Sequence, residues 1–139
     1  MSMTLYVIMS LNDVPDTNEL NELSNKLTVP VIFSENVDLK EHSGFLPAKL
    51  NDSDSGVETY LAPLSELEEY FPTYDFSPYE EPVVVTFRWG GNMEEMIVAL
   101  YSAYLLGYEK QVITFESQSG IYLTNEQVKE GAEAMVNGI

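Results

Sequence analysis

The sequence predicts an α/β (α+β) protein in which a mixed β-sheet is covered by helices. The main observation is a strand–helix–strand pattern that occurs twice, once near the start of the chain and once in its last third. Alternating strands and helices are typical of a sheet packed against helices. The chain has 139 residues, of which 45% are hydrophobic, and this is enough for one core. No linker divides it, so residues 1–139 are predicted to form a single acidic domain.

The first strand–helix–strand unit begins at residues 4–11, which are apolar and β-prone and predict a strand. Asp16 follows a proline and is a candidate helix cap. The next apolar positions recur at helical spacing and predict one buried helix face (Leu20, Leu23, Leu27). Residues 29–33 indicate a second strand, and Pro30 favours a sheet edge because proline donates no hydrogen bond.

The middle of the chain predicts a β-hairpin followed by less regular structure. Residues 45–50 and 57–61 are strand-like and flank a long polar turn at residues 51–56. Residues 63–70 favour one or two helical turns. Residues 71–82 contain three prolines among aromatic residues and predict a loop.

The last third predicts the second unit and a terminal helix. Residues 83–87 and 112–115 are continuous apolar runs and indicate strands on either side of a helix at residues 92–106. Residues 121–123 predict a short strand. Thr124 then opens a capping box with Gln127 at its fourth position, and three residues are predicted to form the buried face of the helix (Val128, Ala132, Met135).

Charge limits the classes of partner. The formal net charge is −17, from 23 acidic and six basic side chains. Such an excess repels nucleic acids and anionic membranes, whose recognition depends on Lys and Arg, and a basic protein is the complementary partner. The chain has no cysteine, no basic segment of a signal peptide, and no apolar run long enough to span a bilayer. We therefore expect a cytoplasmic protein of undetermined oligomeric state.

The segment FRWGGNMEE, residues 87–95, joins a predicted strand to a predicted helix and raises the question of a phosphate site. It matches neither glycine-rich phosphate motif, and no lysine follows the glycines. Glu94 and Glu95 in the first helical turn would compete with an anion. We interpret the segment as a structural turn in which Asn92 caps the helix and Glu95 reaches back to it.

Catalytic and metal-binding patterns are not found in the sequence. His42 is the only histidine, and its neighbours do not complete a nucleophilic triad. Residues 51–56 partly match a calcium loop, but Ala62 stands where a bidentate glutamate is required. The adjacent acidic pairs lack the facing geometry that acid–base catalysis needs. We therefore expect no enzymatic activity, no cofactor and no metal.

The remaining candidate is an acidic and aromatic stretch in the middle of the chain. Tyrosine is favoured at interfaces, and surrounding carboxylates steer a basic partner. On this hypothesis eight residues contact the partner: Glu58, Tyr60, Glu68, Glu69, Tyr74, Asp75, Tyr79 and Glu80. The alternative is that the aromatic rings lie in the core beneath a solvated run of charges, and the sequence leaves both interpretations open.

Three segments in order, residues 42–47, 55–60 and 87–95, resemble small bacterial proteins, some of them similar to immunity proteins that neutralise secreted toxins. The resemblance favours an immunity protein, and together with the acidic charge it leads to the hypothesis of a non-catalytic inhibitor that occludes the active site of a basic toxin. Two alternatives stay open. One is a DNA-mimic inhibitor of a nucleic-acid-binding system, and the other is a small enzyme with a cationic substrate.

Overall fold

One antiparallel sheet organises residues 2–138, the part of the chain that the computed structural model describes. Its strands are β1 (Met3–Ser10), β2 (Val31–Phe33), β3 (Gly44–Leu50), β4 (Ser53–Pro63), β5 (Pro82–Trp89), β6 (Val112–Glu116) and β7 (Ile121–Leu123). The helices are α1 (Thr17–Glu22), α2 (Leu64–Leu67), α3 (Met93–Leu106) and α4 (Asn125–Val136). The strands pair in the order β2-β3-β4-β5-β1-β6-β7, which confirms a small α+β domain.

The predicted sheet was mixed, and this detail is corrected, because every pair of named strands in residues 2–138 is antiparallel. Both strand–helix–strand units are present. In the second unit β5 and β6 run in the same direction, but β1 lies between them and pairs antiparallel with each. In the first unit β1 and β2 also share a direction and are separated by three strands. Intervening strands therefore remove every parallel contact.

The main core lies between the sheet and the helices α1, α3 and α4, and we call this side of the sheet the inner face. Leu5, Val7 and Met9 of β1 point into it, as alternation along a strand requires. α3 is buried from Ile97 to Leu106 and packs against the sheet, α1 and α4. A helix with apolar residues on all sides is expected in such a position.

The opposite side, which we call the outer face, holds a second and smaller core. Ile8, Val84 and Ile113 lie on it and pack against Leu64 and Tyr79. Both of those residues belong to residues 64–81, which we call the acidic segment. It contains α2 and the predicted aromatic loop, so the sheet is covered by helices on one face and by mostly irregular chain on the other.

Local sequence signals set the element ends. Asp16 caps α1 by accepting the Glu19 N–H at 2.9 Å, and the predicted capping box of α4 is formed in full. The predicted long turn at residues 51–56 is wrong, because Asn51 and Asp52, with φ of 49° and 71°, close a tight hairpin. Positive φ at both turn residues matches the strand twist, so β4 begins as early as Ser53.

The side chain of Asn21 covers the edge of β2 that pairs with no other strand. Its amide donates to the Phe33 carbonyl at 3.0 Å, and its Oδ1 accepts the Phe33 N–H at 2.8 Å. Asn21 thus occupies the position of a neighbouring strand. An exposed edge invites pairing with another chain, and this amide blocks that pairing at Phe33.

Replacing Asn21 tests the edge cover. Asn21→Ala leaves two backbone groups of Phe33 without partners, and we expect the free energy of unfolding to fall by about 1–3 kcal/mol. Urea denaturation measures the loss, with Asn25→Ala, an exposed position in the next turn, as the control. Equal stability of the two variants would show that the Asn21 bonds contribute nothing net.

Two glycines give a matched packing test. A Cβ on Gly107 would lie 2.4 Å from Val112 Cγ2 and 2.7 Å from Asn125 Oδ1, whereas one on Gly131 would meet nothing within 4 Å. Gly107→Ala should lower the free energy of unfolding by about 1–3 kcal/mol through overpacking. Gly131→Ala should raise it by about 0.5–1 kcal/mol, because alanine favours helix. The same sign for both in urea denaturation would contradict the packing argument.

Candidate partner-binding face

Strand register places two of the predicted contact residues on the outer face. Glu58 of β4 lies opposite Arg88 of β5, and Tyr60 lies opposite Thr86. Thr86 is in turn opposite Tyr6 of β1. Directly opposed residues in an antiparallel sheet share a face, so Glu58 and Tyr60 lie on the same side of the sheet as the acidic segment.

The acidic segment rests on a continuous aromatic cluster. The ring centroid of Phe71 is 5.4 Å from that of Tyr6 and 5.3 Å from that of Phe115, and the tilted rings of Tyr74 and Tyr122 have centroids 4.6 Å apart. The Tyr122 hydroxyl also donates to the Pro72 carbonyl at 2.5 Å. Aromatic pairs at these separations stabilise packing beyond their buried area. The segment is therefore held against the sheet over strands β1, β6 and β7.

The acidic segment carries six carboxylates and no basic side chain (Glu66, Glu68, Glu69, Asp75, Glu80, Glu81). All six are exposed. Two ion pairs are found in residues 2–138, Lys49–Asp54 at 3.7 Å and Lys110–Glu19 at 3.9 Å, and neither includes one of these acids. The acidic segment therefore presents unneutralised negative charge, and its backbone is held in place by the aromatic cluster beneath it.

The predicted tyrosines divide between surface and core. Tyr70, which was not predicted as a contact, is 69% exposed, and Tyr74 is 39% exposed. Tyr60 is half-buried. Tyr79 is only 8% exposed, so its ring packs in the smaller core and offers little contact area. Both interpretations of the stretch are thus partly correct, and Tyr79 is the predicted contact residue that the structure places inside.

Tyr60 and Glu58 form a short hydrogen bond on the outer face. The Tyr60 hydroxyl donates to Glu58 Oε1 at 2.5 Å. This bond raises the pKa of Tyr60, burial and the negative charge of Glu58 add to the effect, and the positive charge of Arg88 opposes it. The bond orients one carboxylate oxygen of Glu58 on the outer face.

An apolar groove, which was not predicted from the sequence, lies on the strands that the acidic segment leaves uncovered. Its volume is about 510 Å³, and we call it the apolar groove. Ile32 and Phe45, which line it, are 42% and 54% exposed. The residues that line it also include Pro47, Ala48, Lys49, Asp54 and Glu95. The alternation in the sequence FLPAKL indicates that Phe45, Pro47 and Lys49 share one face of the sheet. The pattern does not show whether the rest of the chain covers that face.

Phe45 is positioned by a glycine. A Cβ on Gly56 would lie 2.3 Å from Phe45 Cζ and 2.7 Å from the Leu46 carbonyl oxygen. The Phe45 ring therefore covers Gly56 at a distance that only glycine permits. Close backbone approach is a recognised role of glycine within strands.

The turn at residues 87–95 is structural, as predicted, with one difference in detail. Asn92 caps α3 by accepting the Glu95 N–H at 3.2 Å. Glu95 does not reach Asn92, and its Oε1 accepts the Gly90 N–H at 3.3 Å. The carboxylate of Glu95 thus occupies one of the backbone donors that the turn could offer to an anion. Trp89 is buried, whereas Arg88 is exposed on the outer face.

Other candidate groups have structural roles. The Nε2–H of His42 donates to the Phe45 carbonyl at 2.9 Å and so stabilises the backbone where β3 begins. Asp54 pairs with Lys49 across the hairpin, which is not the arrangement of a calcium loop. Within residues 2–138, no group of three or more His, Asp or Glu side chains is arranged to hold a metal ion.

No protein-family model matches this sequence, and no significant match was found among curated proteins or solved structures. The resemblance to toxin-immunity proteins stays a prediction. In the described part of the chain, no helix has both the length and the apolar character needed to cross a membrane.

The burial of Tyr79 predicts a pH effect. Burial raises the pKa of Tyr79 from 10.0 to about 12, and the nearby Tyr74 adds to this. A phenol with a raised pKa stabilises the fold fully below its unfolded pKa, and this contribution is lost as the pH rises through about 12. We expect Tyr79→Phe to unfold at higher pH than the unchanged protein, as followed by circular dichroism. Tyr70→Phe is the control, because it removes no buried phenol, and an equal change in both variants would contradict the assignment.

Proposed function

We propose that the protein is a non-catalytic binding protein that neutralises a basic partner by covering the partner's active site. The observation that carries the proposal is the acidic segment, with six exposed carboxylates, no base and an ordered aromatic support. Together with the resemblance, it favours a bacterial toxin as the partner and the cytoplasm as the compartment.

The mechanism is electrostatic attraction followed by occlusion. Carboxylates in excess raise the local concentration of a cationic partner and its association rate. Their support by the sheet lowers the entropy lost on binding, since the backbone that carries them is already ordered. Carboxylates then lie where the phosphates of the toxin's substrate would lie, and exposed tyrosines provide contact area.

Seven of the eight predicted residues stay in the proposed contact surface. Tyr74 and Tyr60 are its aromatic members. The carboxylates are Glu58, Glu68, Glu69, Asp75 and Glu80. Tyr79 leaves the set, because it is buried, and Tyr70 enters it as the most exposed tyrosine of the segment. Truncating Tyr70 or Tyr74 removes contact area without opening the core.

A pull-down from the native host tests the proposal, with the wash salt raised in steps and the bound proteins identified by mass spectrometry. A stoichiometric basic protein that salt releases, and whose activity equimolar protein inhibits, supports it. If double-stranded DNA competes the partner away, the partner is a nucleic-acid-binding protein and the carboxylates mimic phosphates. If nothing is retained at low salt, the proposed function loses its basis.

Charge reversal locates the surface. Changing Glu68, Glu69 and Glu80 together to lysine should slow association with the captured partner about tenfold or more and flatten its salt dependence. The control changes Glu22, Glu109 and Glu130, which are exposed and lie outside the acidic segment, to lysine. Both variants have the same net charge. Equal association rates in surface plasmon resonance would show that total charge matters and that the acidic segment is not the contact surface.

A further inference from the structure

We propose that the apolar groove binds one large apolar side chain of the partner, from a segment in which lysine or arginine flanks that side chain. The inference deepens the proposed function and rests on it. The acidic segment attracts the partner by charge, and the apolar groove provides the contact that fixes its position.

The lining of the apolar groove suits an apolar side chain. Ile32 and Phe45 keep 42% and 54% of their surface in water, and Pro47 is exposed beside them. Large apolar side chains that are exposed together mark interaction sites. The volume of about 510 Å³ admits an aromatic or long aliphatic side chain together with part of its backbone.

The apolar groove is also preformed. Pairing of β3 with β4 through a tight turn fixes its floor, and the position of Phe45 over Gly56 fixes one wall. Asn21 holds the neighbouring β2 at Phe33. A preformed pocket loses little conformational entropy when a ligand enters, so a single anchor contributes strongly.

The charges around the apolar groove select a basic occupant. Asp54 and Glu95 line it, and Glu58 lies opposite Phe45 in the neighbouring strand. Lys49 is paired with Asp54 at 3.7 Å, and Arg88 lies opposite Glu58. Glu95 takes part in neither of the two ion pairs found in residues 2–138, so it is the carboxylate that lysine or arginine beside the anchoring side chain would meet. A second copy of this chain is disfavoured, because it would bring two chains of net charge −17 together.

The test uses the whole chain and two short peptides with a fluorescent label, Gly-Lys-Lys-Trp-Lys-Lys-Gly and the same peptide with alanine for tryptophan. Fluorescence anisotropy measures each Kd. We expect the tryptophan peptide to bind about tenfold more tightly. Ile32→Ala should weaken its binding about tenfold. Ile121→Ala should not, and it is a matched control because Ile121 is 50% exposed, against 42% for Ile32, and lies on the other edge strand.

Each other outcome overturns the proposal and is distinct from a failure of the proposed function. Equal, salt-sensitive binding of both peptides would show that the apolar groove is not the binding site, while the proposal of a basic partner would stand. Equal effects of Ile32→Ala and Ile121→Ala on binding would show that the tryptophan does not bind in the apolar groove. Binding of a peptide with glutamine for lysine, as tight as that of the lysine peptide, would exclude a basic occupant. Self-association in sedimentation that Ile32→Ala abolishes would make a second copy the occupant. If neither peptide binds, the proposed role of the apolar groove is wrong. The proposed function is then tested by the pull-down alone.

Discussion

Covering both faces of one seven-stranded sheet is the constraint on which the rest of the structure depends. The inner face is covered by helices and by connecting residues such as Val14 and Leu39, and α3 is buried there from Ile97 to Leu106. The outer face has only the acidic segment, which packs its aromatic residues on β1, β6 and β7. Strands β2, β3 and the first half of β4 stay open on that side. The cover is therefore incomplete at one end of the sheet, and the apolar groove lies there.

Strand length places the open region next to the start of α3. The first residues of β4 pair with β3 alone, and pairing with β5 begins only at Glu58. β5 ends at Trp89, and the chain then turns through Gly90 and Gly91 into α3. The end of the β3–β4 hairpin thus extends beyond its neighbour, and Glu95 lines the space beside it. The glycine turn shapes the candidate surface through backbone geometry, and its Gly90 N–H is already bonded to Glu95.

Electrostatics and packing act on the same face in different ways. With a net charge of −17 and two ion pairs in the described residues, the isolated protein carries self-repulsion that a cationic partner would relieve. The aromatic cluster keeps the carboxylates in place despite that repulsion, since its rings are packed between the acidic segment and the sheet. Charge acts over a long range and sets the rate of encounter, whereas apolar contact acts only on touching and sets the lifetime of a complex.

The sequence by itself determined the local elements and the sign of the surface charge. The caps at Asp16, Asn92 and Thr124 depend on neighbouring residues, and these predictions are confirmed. The predicted buried helix faces are confirmed in part, because α1 ends at Glu22, before Leu23 and Leu27, and because α4 buries Val136 with Val128 and Ala132 while Met135 is only partly buried. Only the tertiary structure decided the strand order, the insertion of β1 between β5 and β6, the burial of Tyr79 and the exposure of Phe45. Each of these depends on contacts between residues far apart in the chain. Both faces of the strand around Phe45 carry apolar residues, so local alternation could not show which face the rest of the chain would leave open.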